Sequence, residues 1–250
     1  MAMRDSLMSD WFAQWFDADY ATLYAHRDEG EARRAVKMAL RLAPELAKGP
    51  VLDLGCGGGR HLAALRRYNP LAFGLDLSPA LLGSATPELR PWLLRGDMRS
   101  IPIKNGSLWG VCLWFTPFGY FAEAQNRALL ARIGQLLRPG GILLLDFMNA
   151  HLVRRDLMPE DREERSGFRI HVRRSLEGHR VVKRIHLTHL ATGDVREAVE
   201  SVRVYEPGEL VALGKDCGLS LIAEVGDYDG LPFRTDSSPR WIGIFHRPLV

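Results

Sequence analysis

A glycine-rich segment in the first third of the chain carries the clearest chemical signal. The segment reads VLDLGCGGGR and places glycines at 55, 57, 58 and 59 directly after an apolar strand candidate. Glycine permits a tight turn and the close approach of a ligand, because no Cβ stands in the way. A helix that begins after such a turn points free N–H groups and the positive end of its dipole at the ligand. We therefore predict a binding loop at the carboxyl end of the first strand of an α/β sheet.

The spacing of these glycines excludes two common nucleotide-binding motifs. A dinucleotide fingerprint, G-x-G-x-x-G, that began at Gly55 would need glycine at position 60, where the chain has Arg60. A P-loop would need Gly-Lys-Ser/Thr, which does not follow. The pattern is G-x-G-x-G, with Asp53 two residues before it. An NAD-dependent oxidoreductase is therefore a distant alternative.

Two further acids follow the next two strand candidates. Asp76 ends the second strand, where a carboxylate can accept hydrogen bonds from both hydroxyls of a ribose. NAD enzymes share that carboxylate, so Asp76 alone does not identify the ligand. Asp97 follows the third strand and precedes the apolar Met98, a pair that suits the edge of an adenine.

Strand and helix candidates alternate from residue 50 to the GILLLDF segment. The strand candidates are short, continuous apolar runs, which is typical of a parallel sheet that helices cover on both faces. This order predicts a doubly wound α/β domain with right-handed crossovers. The predicted helices are 59–68, 79–85 and 123–137, and the strands lie in PVLDLG, LAFGLDLS, WLLRGD, LWGVCLWF and GILLLDF.

The pattern changes after residue 150. The highly charged segment 151–166 has no sustained periodicity, and we predict a loop or linker there. Three alternating runs within 167–205 predict antiparallel strands, inserted as a side sheet that forms one wall of the site or a subunit contact. A helix from Pro207 to Gly218 and two final strands complete the main sheet.

The N-terminal segment, 4–46, is predicted to be helical. Its aromatic residues 11, 12, 15 and 16 share one face, which indicates a helix packed on the domain, a lid over a ligand, or both. We divide the chain into an N-terminal helical cap (1–46), a ligand-binding domain (47–150 and 206–250) and inserted antiparallel strands (151–205).

The composition argues for a cytoplasmic protein. Three widely spaced cysteines show neither metal-ligand spacing nor a disulfide framework, so we expect a reducing compartment and no metal. The N-terminus has acids and no long apolar stretch, and no window reaches the roughly 20 apolar residues that a membrane helix needs. A net charge of +3, with basic and acidic residues interleaved, argues against nucleic acid as the partner.

Four segments together resemble the motifs of a known enzyme family. VLDLGCGGGR, GLDLS, GDMRSIP and LRPGG are similar, in order and spacing, to those of class I S-adenosylmethionine-dependent methyltransferases. The resemblance covers about residues 48–148 by motif and 207–247 by architecture. It implies a doubly wound, mostly parallel, seven-stranded Rossmann-like sheet, and S-adenosylmethionine as the cofactor. The helical cap and the small antiparallel sheet are then additions to this domain.

The resemblance also implies which residues contact the cofactor. Asp53 and the glycine loop would line its methionine and ribose part, and Asp76 would hold the ribose hydroxyls. Asp97 and Met98 would contact the adenine. The full predicted set, including an N-terminal arginine discussed below, is Arg27, Asp53, Gly55, Cys56, Gly57, Gly59, Asp76, Leu77, Asp97, Met98 and, beside the sulfonium, Phe115.

The segment LWFTPFGYF departs from one branch of the family. Enzymes of this class that methylate amino groups of nucleic acids often carry Asn or Asp followed by Pro-Pro-Tyr here. This chain instead has an aromatic wall with two hydroxyls at 115–120, which favours a small-molecule acceptor of apolar character. The polar loop before the last strand, with Asp227, Asp229 and Ser238, either bounds the acceptor pocket or is a solvated hairpin. We predict acceptor contacts from Thr116, Phe118, Tyr120, Tyr228 and Arg240.

The N-terminal segment YATLYAHRDEGEA ends just inside a predicted helix. N-terminal segments of related small-molecule methyltransferases cover the cofactor site, so Arg27 or His26 is expected to pair with the cofactor carboxylate. The alternative is a surface loop capped by Asp28. A hydroxyl acceptor would need a base, for which His26 and Asp227 are candidates. The predicted catalytic set is Tyr20, Tyr24, His26 and Asp227.

The leading prediction is in-line methyl transfer from S-adenosylmethionine to the nitrogen or oxygen of a small molecule. One alternative is an RNA or protein methyltransferase with Arg169, Arg173 and Arg174 as a basic face, and another is a non-catalytic protein that binds the cofactor. A homodimer through the inserted strands also stays open.

Overall fold

The larger of two sheets forms the centre of the molecule. The structure, a computed structural model, describes residues 10–24 and 28–249. Its strands are β1 (Val51–Leu54), β2 (Ala72–Asp76), β3 (Leu93–Arg95), β4 (Leu108–Leu113), β5 (Leu137–Met148), β6 (Glu160–Arg165), β7 (Phe168–Glu177), β8 (Arg180–His189), β9 (Val195–Arg203), β10 (Ser220–Val225) and β11 (Arg240–His246).

Seven of these strands pair in the order β10-β11-β5-β4-β1-β2-β3. Neighbours among β1–β5 run parallel, and β11 runs antiparallel to both β5 and β10. The chain reverses its direction of winding between β1 and β4, so the carboxyl ends of these strands form the crevice in which open α/β sheets bind ligands. The predicted doubly wound sheet is confirmed.

Helices cover both faces of this sheet. They are α1 (Trp11–Trp15), α2 (Ala18–Leu23), α3 (Glu29–Leu42), α4 (Arg60–Arg66), α5 (Pro79–Gly83), α6 (Glu123–Leu136), α7 (Ala150–Arg155) and α8 (Pro207–Asp216). The helices predicted at 59–68, 79–85 and 123–137 are α4, α5 and α6, each slightly shorter than predicted. Within the described residues, no helix has the length and apolar content to cross a bilayer.

The second sheet is antiparallel and has four strands, in the order β6-β7-β8-β9. The loop predicted at 151–166 is wrong for most of its length, because α7 and β6 lie there. β6 has no apolar alternation because it is an edge strand and is held by charges, such as Glu164 against Arg169 and Glu160 against His171. The division of the chain into three parts stays a prediction.

The N-terminal aromatic residues join the two sheets. Trp11, Phe12 and Trp15 are buried, and α1 packs on β9. Trp11 and Phe12 also contact the rings of Tyr120 and Phe121 after β4. The segment is therefore a helix packed on the domain, and the same rings line the cavity described next.

Candidate functional site

A cavity of about 1360 Å³ lies at the carboxyl ends of β1, β2 and β4. Three parts of the molecule enclose it: the glycine loop with the neighbouring strand ends, the N-terminal helices α1 and α2, and the inner face of the antiparallel sheet. Sites for one drug-sized ligand usually measure about 300–1,000 Å³. The cavity therefore has room for a cofactor and a second small molecule.

The glycine loop adopts a backbone that side chains rarely allow. Gly55, Gly57 and Gly59 have φ angles of 75°, 55° and 81°. A Cβ on Gly55 would lie 3.1 Å from the Pro117 Cβ, so the loop also lies close to the segment after β4. These positions need glycine for the turn and for the close approach, as the sequence indicated.

Cys56 lines the cavity through the loop but packs its sulfur against β2. A Cβ added to Gly74 would lie 2.6 Å from the Cys56 Sγ. Burial raises the pKa of this thiol, which argues against a nucleophilic thiolate. The residue contributes its backbone to the site and its side chain to the packing.

Asp76 lies at the end of β2 with both oxygens towards backbone N–H groups. Gly57 N–H donates to Oδ2 at 2.7 Å, and Ser78 N–H donates to Oδ1 at 2.8 Å. Each carboxylate oxygen has a second lone pair, so Asp76 can still accept hydrogen bonds from two hydroxyls. Burial raises the pKa of Asp76, and these backbone bonds oppose the rise. Leu77 follows it and lines the cavity.

Asp53 is a buried acid directly before the glycine loop. The residue is 2% exposed, and its Oδ2 has no hydrogen-bond partner in the described part of the chain. Burial, together with the negative charge of Asp76, raises the pKa of Asp53 to about 8. Asp53 is not among the residues that line the cavity and lies behind the glycine loop. Its unused oxygen fits a site whose ligand brings a positive charge to the other side of that loop.

Asp97 and Met98 line the cavity after β3. The Arg99 Nη2 donates to Asp97 Oδ2 at 2.6 Å, and the Arg99 N–H donates to Oδ1 at 2.8 Å. Partial burial alone would raise the pKa of Asp97, but the bonds from Arg99 hold it below its usual value. Arg99 also lies over the ring of Phe12 and pairs with Asp10, so this edge of the cavity is connected to α1.

The segment after β4 is strained. Phe115 and Thr116 both have left-handed backbones, with φ angles of 61° and 67°, and both line the cavity. Such conformations cost on the order of 1–3 kcal/mol each. The buried Asp146 of β5 holds them: its Oδ2 accepts the Phe115 N–H at 2.7 Å, and its carbonyl accepts the Thr116 N–H at 3.0 Å.

Tyr228 and Arg240 complete this support from behind the cavity, which corrects their predicted role. Neither is among its lining residues. The Tyr228 hydroxyl donates to Asp146 Oδ2 at 2.6 Å, and Arg240 pairs with the other carboxylate oxygen. Arg240 Nη2 also donates to Thr116 Oγ1 at 2.8 Å. The sequence reasoning missed Asp146, although a lone acid within the apolar GILLLDF strand is a signal.

Phe118 and Asp227 also differ from their predicted roles. Phe118 has no exposed surface and packs on Tyr205, because the chain turns inwards after the strained pair. Asp227 caps its own loop by accepting the N–H groups of Asp229 and Leu231, each at 3.0 Å, and does not line the cavity.

Tyr20, Tyr24 and Tyr120 do line the cavity, whereas His26 and Arg27 lie outside the described residues. The rings of Tyr20 and Tyr24 lie 4.4 Å apart between centroids. The Lys183 Nζ, on the inner face of the antiparallel sheet, donates to the Tyr24 hydroxyl at 2.8 Å.

The antiparallel sheet forms a wall of the cavity, one of the two roles that the sequence left open. Its lining residues include Lys183 of β8 and Glu200 of β9, neither of which the sequence analysis singled out. Glu200 accepts a hydrogen bond from Trp15 Nε1 at 2.6 Å, which joins this wall to α1. The alternation of β8 and β9 indicated two faces, but not which of them covers a site.

The sheet order, the glycine loop and the acids after β2 and β3 define a class I domain for binding S-adenosylmethionine. The free Asp53 oxygen and the loop that only glycine permits fit this cofactor. Residues 51–141 match a family described as methyltransferase domain. Residues 51–141 therefore carry a methyltransferase domain, and the site around them fits S-adenosylmethionine as the cofactor.

Similar proteins include methyltransferases with small-molecule names. Trans-aconitate 2-methyltransferase of Deinococcus radiodurans is 34% identical over 127 residues, which are 48% of this chain and 46% of that protein. The chain thus spans less than half of that curated relative.

Two solved structures share the whole architecture. The CcbJ methyltransferase of Streptomyces caelestis superposes with a TM-score of 0.77 at 18% identity, over 94% of this chain and 98% of that one. CalS10 of Micromonospora echinaspora, an amino pentose methyltransferase solved with S-adenosylmethionine, gives 0.62 at 22%, over 91% and 96%. At these identities the likeness shows the fold.

Proposed function

We propose that the protein transfers a methyl group from S-adenosylmethionine to a nitrogen or oxygen of a small-molecule acceptor. One observation carries the proposal: the antiparallel sheet and the N-terminal helices enclose the cavity in front of the glycine loop. An enclosed chamber of this size suits a small molecule better than a folded macromolecule.

The residues that would hold the cofactor lie on the main-sheet side. Asp76 would accept the ribose hydroxyls, and Asp97 with Met98 would contact the adenine. Asp53, behind the glycine loop, would place a carboxylate near the positively charged methionine end, and Phe115 would lie near the sulfonium. When bound, the cofactor supplies a methyl group that is activated by the positive sulfur.

The transfer itself needs alignment more than acid or base chemistry. A bond forms between the acceptor atom and the methyl carbon, and the C–S bond breaks with its electron pair on sulfur. The acceptor's proton leaves to a base or to water. Holding two reactants in line can contribute roughly 7–11 kcal/mol. The chain's part is to orient the acceptor and exclude water, and the Tyr20, Tyr24 and Tyr120 rings can also stabilise the sulfonium.

The Tyr24 hydroxyl is the group best placed to orient the acceptor. It lines the cavity, and the hydrogen bond that it accepts from Lys183 fixes the position of its oxygen. Of the predicted catalytic set, Tyr20 and Tyr24 line the cavity, and we propose that they face the acceptor.

An RNA or protein acceptor has less support. The predicted basic face is divided: Arg169 pairs with Glu164 on the outside of the sheet, whereas Arg174 lines the cavity. The amino pentose named for one structural relative and the trans-aconitate named for one sequence relative are both small molecules. Both names support the proposal that the acceptor is a small molecule.

Calorimetric titration with S-adenosylmethionine, S-adenosylhomocysteine and NAD tests the cofactor site. We expect the first two to bind and Asp76→Ala to weaken them by about tenfold or more, because two charge-assisted hydrogen bonds are lost. Asp216→Ala, at an exposed acid of α8, is the matched control. Binding of NAD alone would overturn the proposal.

Transfer is then measured with a methyl-labelled donor against amino sugars, carboxylic acids and RNA. Labelled small molecules would support the proposal. Labelled RNA, or tight cofactor binding with no transfer to any acceptor, would favour the two alternative functions.

A further inference from the structure

A row of charged side chains crosses the inner face of the antiparallel sheet. The strand register places Arg174 opposite Lys183, and Lys183 opposite Glu200, and all three line the cavity. Like charges directly opposite each other destabilise a sheet. These side chains are only 25%, 18% and 22% exposed, so water screens the repulsion only in part.

The row has one carboxylate for two cations. Glu200 lies 3.5 Å from the Lys183 Nζ and also accepts the hydrogen bond from Trp15. Arg174 lies 3.9 Å from Asp161 of β6, which is the outer limit of an ion pair. Burial alone would lower the pKa of Lys183, but Glu200 and Tyr24 raise it above its usual value. Lys183 therefore stays charged at neutral pH.

The same arrangement on the outer face has a simpler explanation. There Arg173 lies opposite Arg184, but Arg184 is half exposed and pairs with Glu177 at 2.7 Å. Solvent and a full ion pair remove most of that repulsion. Arg174 and Lys183 are less exposed to solvent, and their ion pairs are longer. Their excess positive charge is therefore best neutralised by a negative group that the chain does not supply.

The charge of the cavity also differs between its two sides. Among the described lining residues, the side of the glycine loop, the strand ends and α3 carries five carboxylates and two guanidinium groups. The antiparallel sheet carries three cations, including Arg165, and two carboxylates. The acidic side suits a cationic cofactor, and the basic side suits an acceptor of opposite charge.

We infer that the acceptor carries an anionic group, a carboxylate or a phosphate, which lies against Lys183 and Arg174. The inference rests on the proposed function and adds the charge of the acceptor to it. An acceptor held by this group at the sheet would extend across the cavity towards the cofactor, with Tyr24 beside it.

The experiment uses citrate and inorganic pyrophosphate as probes for the two anionic groups. Each is titrated by calorimetry, at constant ionic strength, into the full-length protein saturated with S-adenosylhomocysteine. We expect at least one to bind, and Lys183→Met and Arg174→Met to weaken it about tenfold or more. Arg184→Met, on the outer face of the same strand, is the matched control. Which probe binds better distinguishes a carboxylate from a phosphate.

Glu200→Gln separates an anion site from a merely structural ion pair. If the row binds anions, this change removes a competing carboxylate and strengthens probe binding severalfold. If the row only joins the sheet to α1, Lys183→Met and Glu200→Gln both lower the unfolding midpoint and leave probe affinity equal to that of the control. That result, or no binding of either probe, overturns the inference. Failure of S-adenosylhomocysteine to bind in the first place would instead contradict the proposed function.

Discussion

At the scale of single residues, Asp53 connects the cofactor site to pH. Its pKa rises from 3.8 to about 8 on folding, so the folded protein binds a proton that the unfolded chain has lost over this range. The contribution of Asp53 to stability is therefore greatest below pH 4 and falls as the pH rises towards 8.

We predict that Asp53→Asn reduces this loss of stability at rising pH. The free energy of unfolding of the wild type should decrease from pH 5 to pH 8, and that of the variant should decrease less. Urea denaturation at several pH values measures the difference, with Asp216→Asn as the control for a solvated acid. Parallel curves for the wild type and Asp53→Asn would mean that Asp53 is ionised in the folded protein at pH 5.

The same residue predicts a proton release on cofactor binding. The positive charge of S-adenosylmethionine near Asp53 would lower its pKa, so binding at pH 7 should release part of a proton. Calorimetry in two buffers of different ionisation enthalpy measures this number. Asp53→Asn should release fewer protons, and an unchanged number would place the ammonium group elsewhere.

At the scale of elements, the strained segment after β4 depends on a buried ion pair. Asp146 is fully buried and the Arg240 side chain is 16% exposed, and together they hold Phe115 and Thr116. Removing one partner leaves the other charge buried and unpaired, which costs about 3–5 kcal/mol. Replacing both with apolar residues avoids that cost.

We therefore predict that Asp146→Leu alone destabilises the protein by about 3–5 kcal/mol, and that adding Arg240→Met recovers a large part of the loss. Urea denaturation of the two single variants and the double variant measures the coupling. Because the double variant still lacks the bonds to the strained backbone, its cofactor affinity should stay low even where stability returns. Recovery of both stability and cofactor affinity would mean that Phe115 and Thr116 keep their backbone conformation without the bonds from Asp146 and Arg240.

The sequence predicts the elements well where periodicity and burial agree. β1, β4 and β5 are continuous apolar runs because both faces of the main sheet are covered. β6 was missed because an edge strand held by charges has no apolar pattern.

Side-chain direction was the harder prediction. Two successive left-handed residues after β4 turn Phe118 into the core, and nothing in the letters FTPFGY fixes that turn. The motif residues Asp76, Asp97 and Met98 line the cavity because they lie at the end of β2 or shortly after β3, and their contacts with the cofactor stay a prediction. Lys183 and Glu200 could not be found, since their position in the cavity depends on which face of the second sheet meets the first.

At the scale of the whole molecule, hydrogen bonds connect the proposed cofactor site to the N-terminal segment. The Ser78 hydroxyl, two residues after Asp76, donates to the Phe16 carbonyl, and Arg99 joins Asp97 to Asp10. The groups proposed to hold ribose and adenine therefore also anchor the segment that closes the cavity. Ligand that orders these groups should order α1 and α2 as well.

We predict that S-adenosylhomocysteine slows amide exchange in α1 and α2 as well as in the glycine loop, and leaves β10, remote from the cavity, unchanged. Ser78→Ala should speed exchange in α1 and α2 of the free protein and weaken the cofactor severalfold, because part of the binding energy is then used to order the cap. Hydrogen-exchange mass spectrometry reads both effects by peptide. Protection confined to the glycine loop would show that the cap closes on the acceptor alone. Ordering of α1 and α2 would then depend on the acceptor held at the antiparallel sheet rather than on the cofactor.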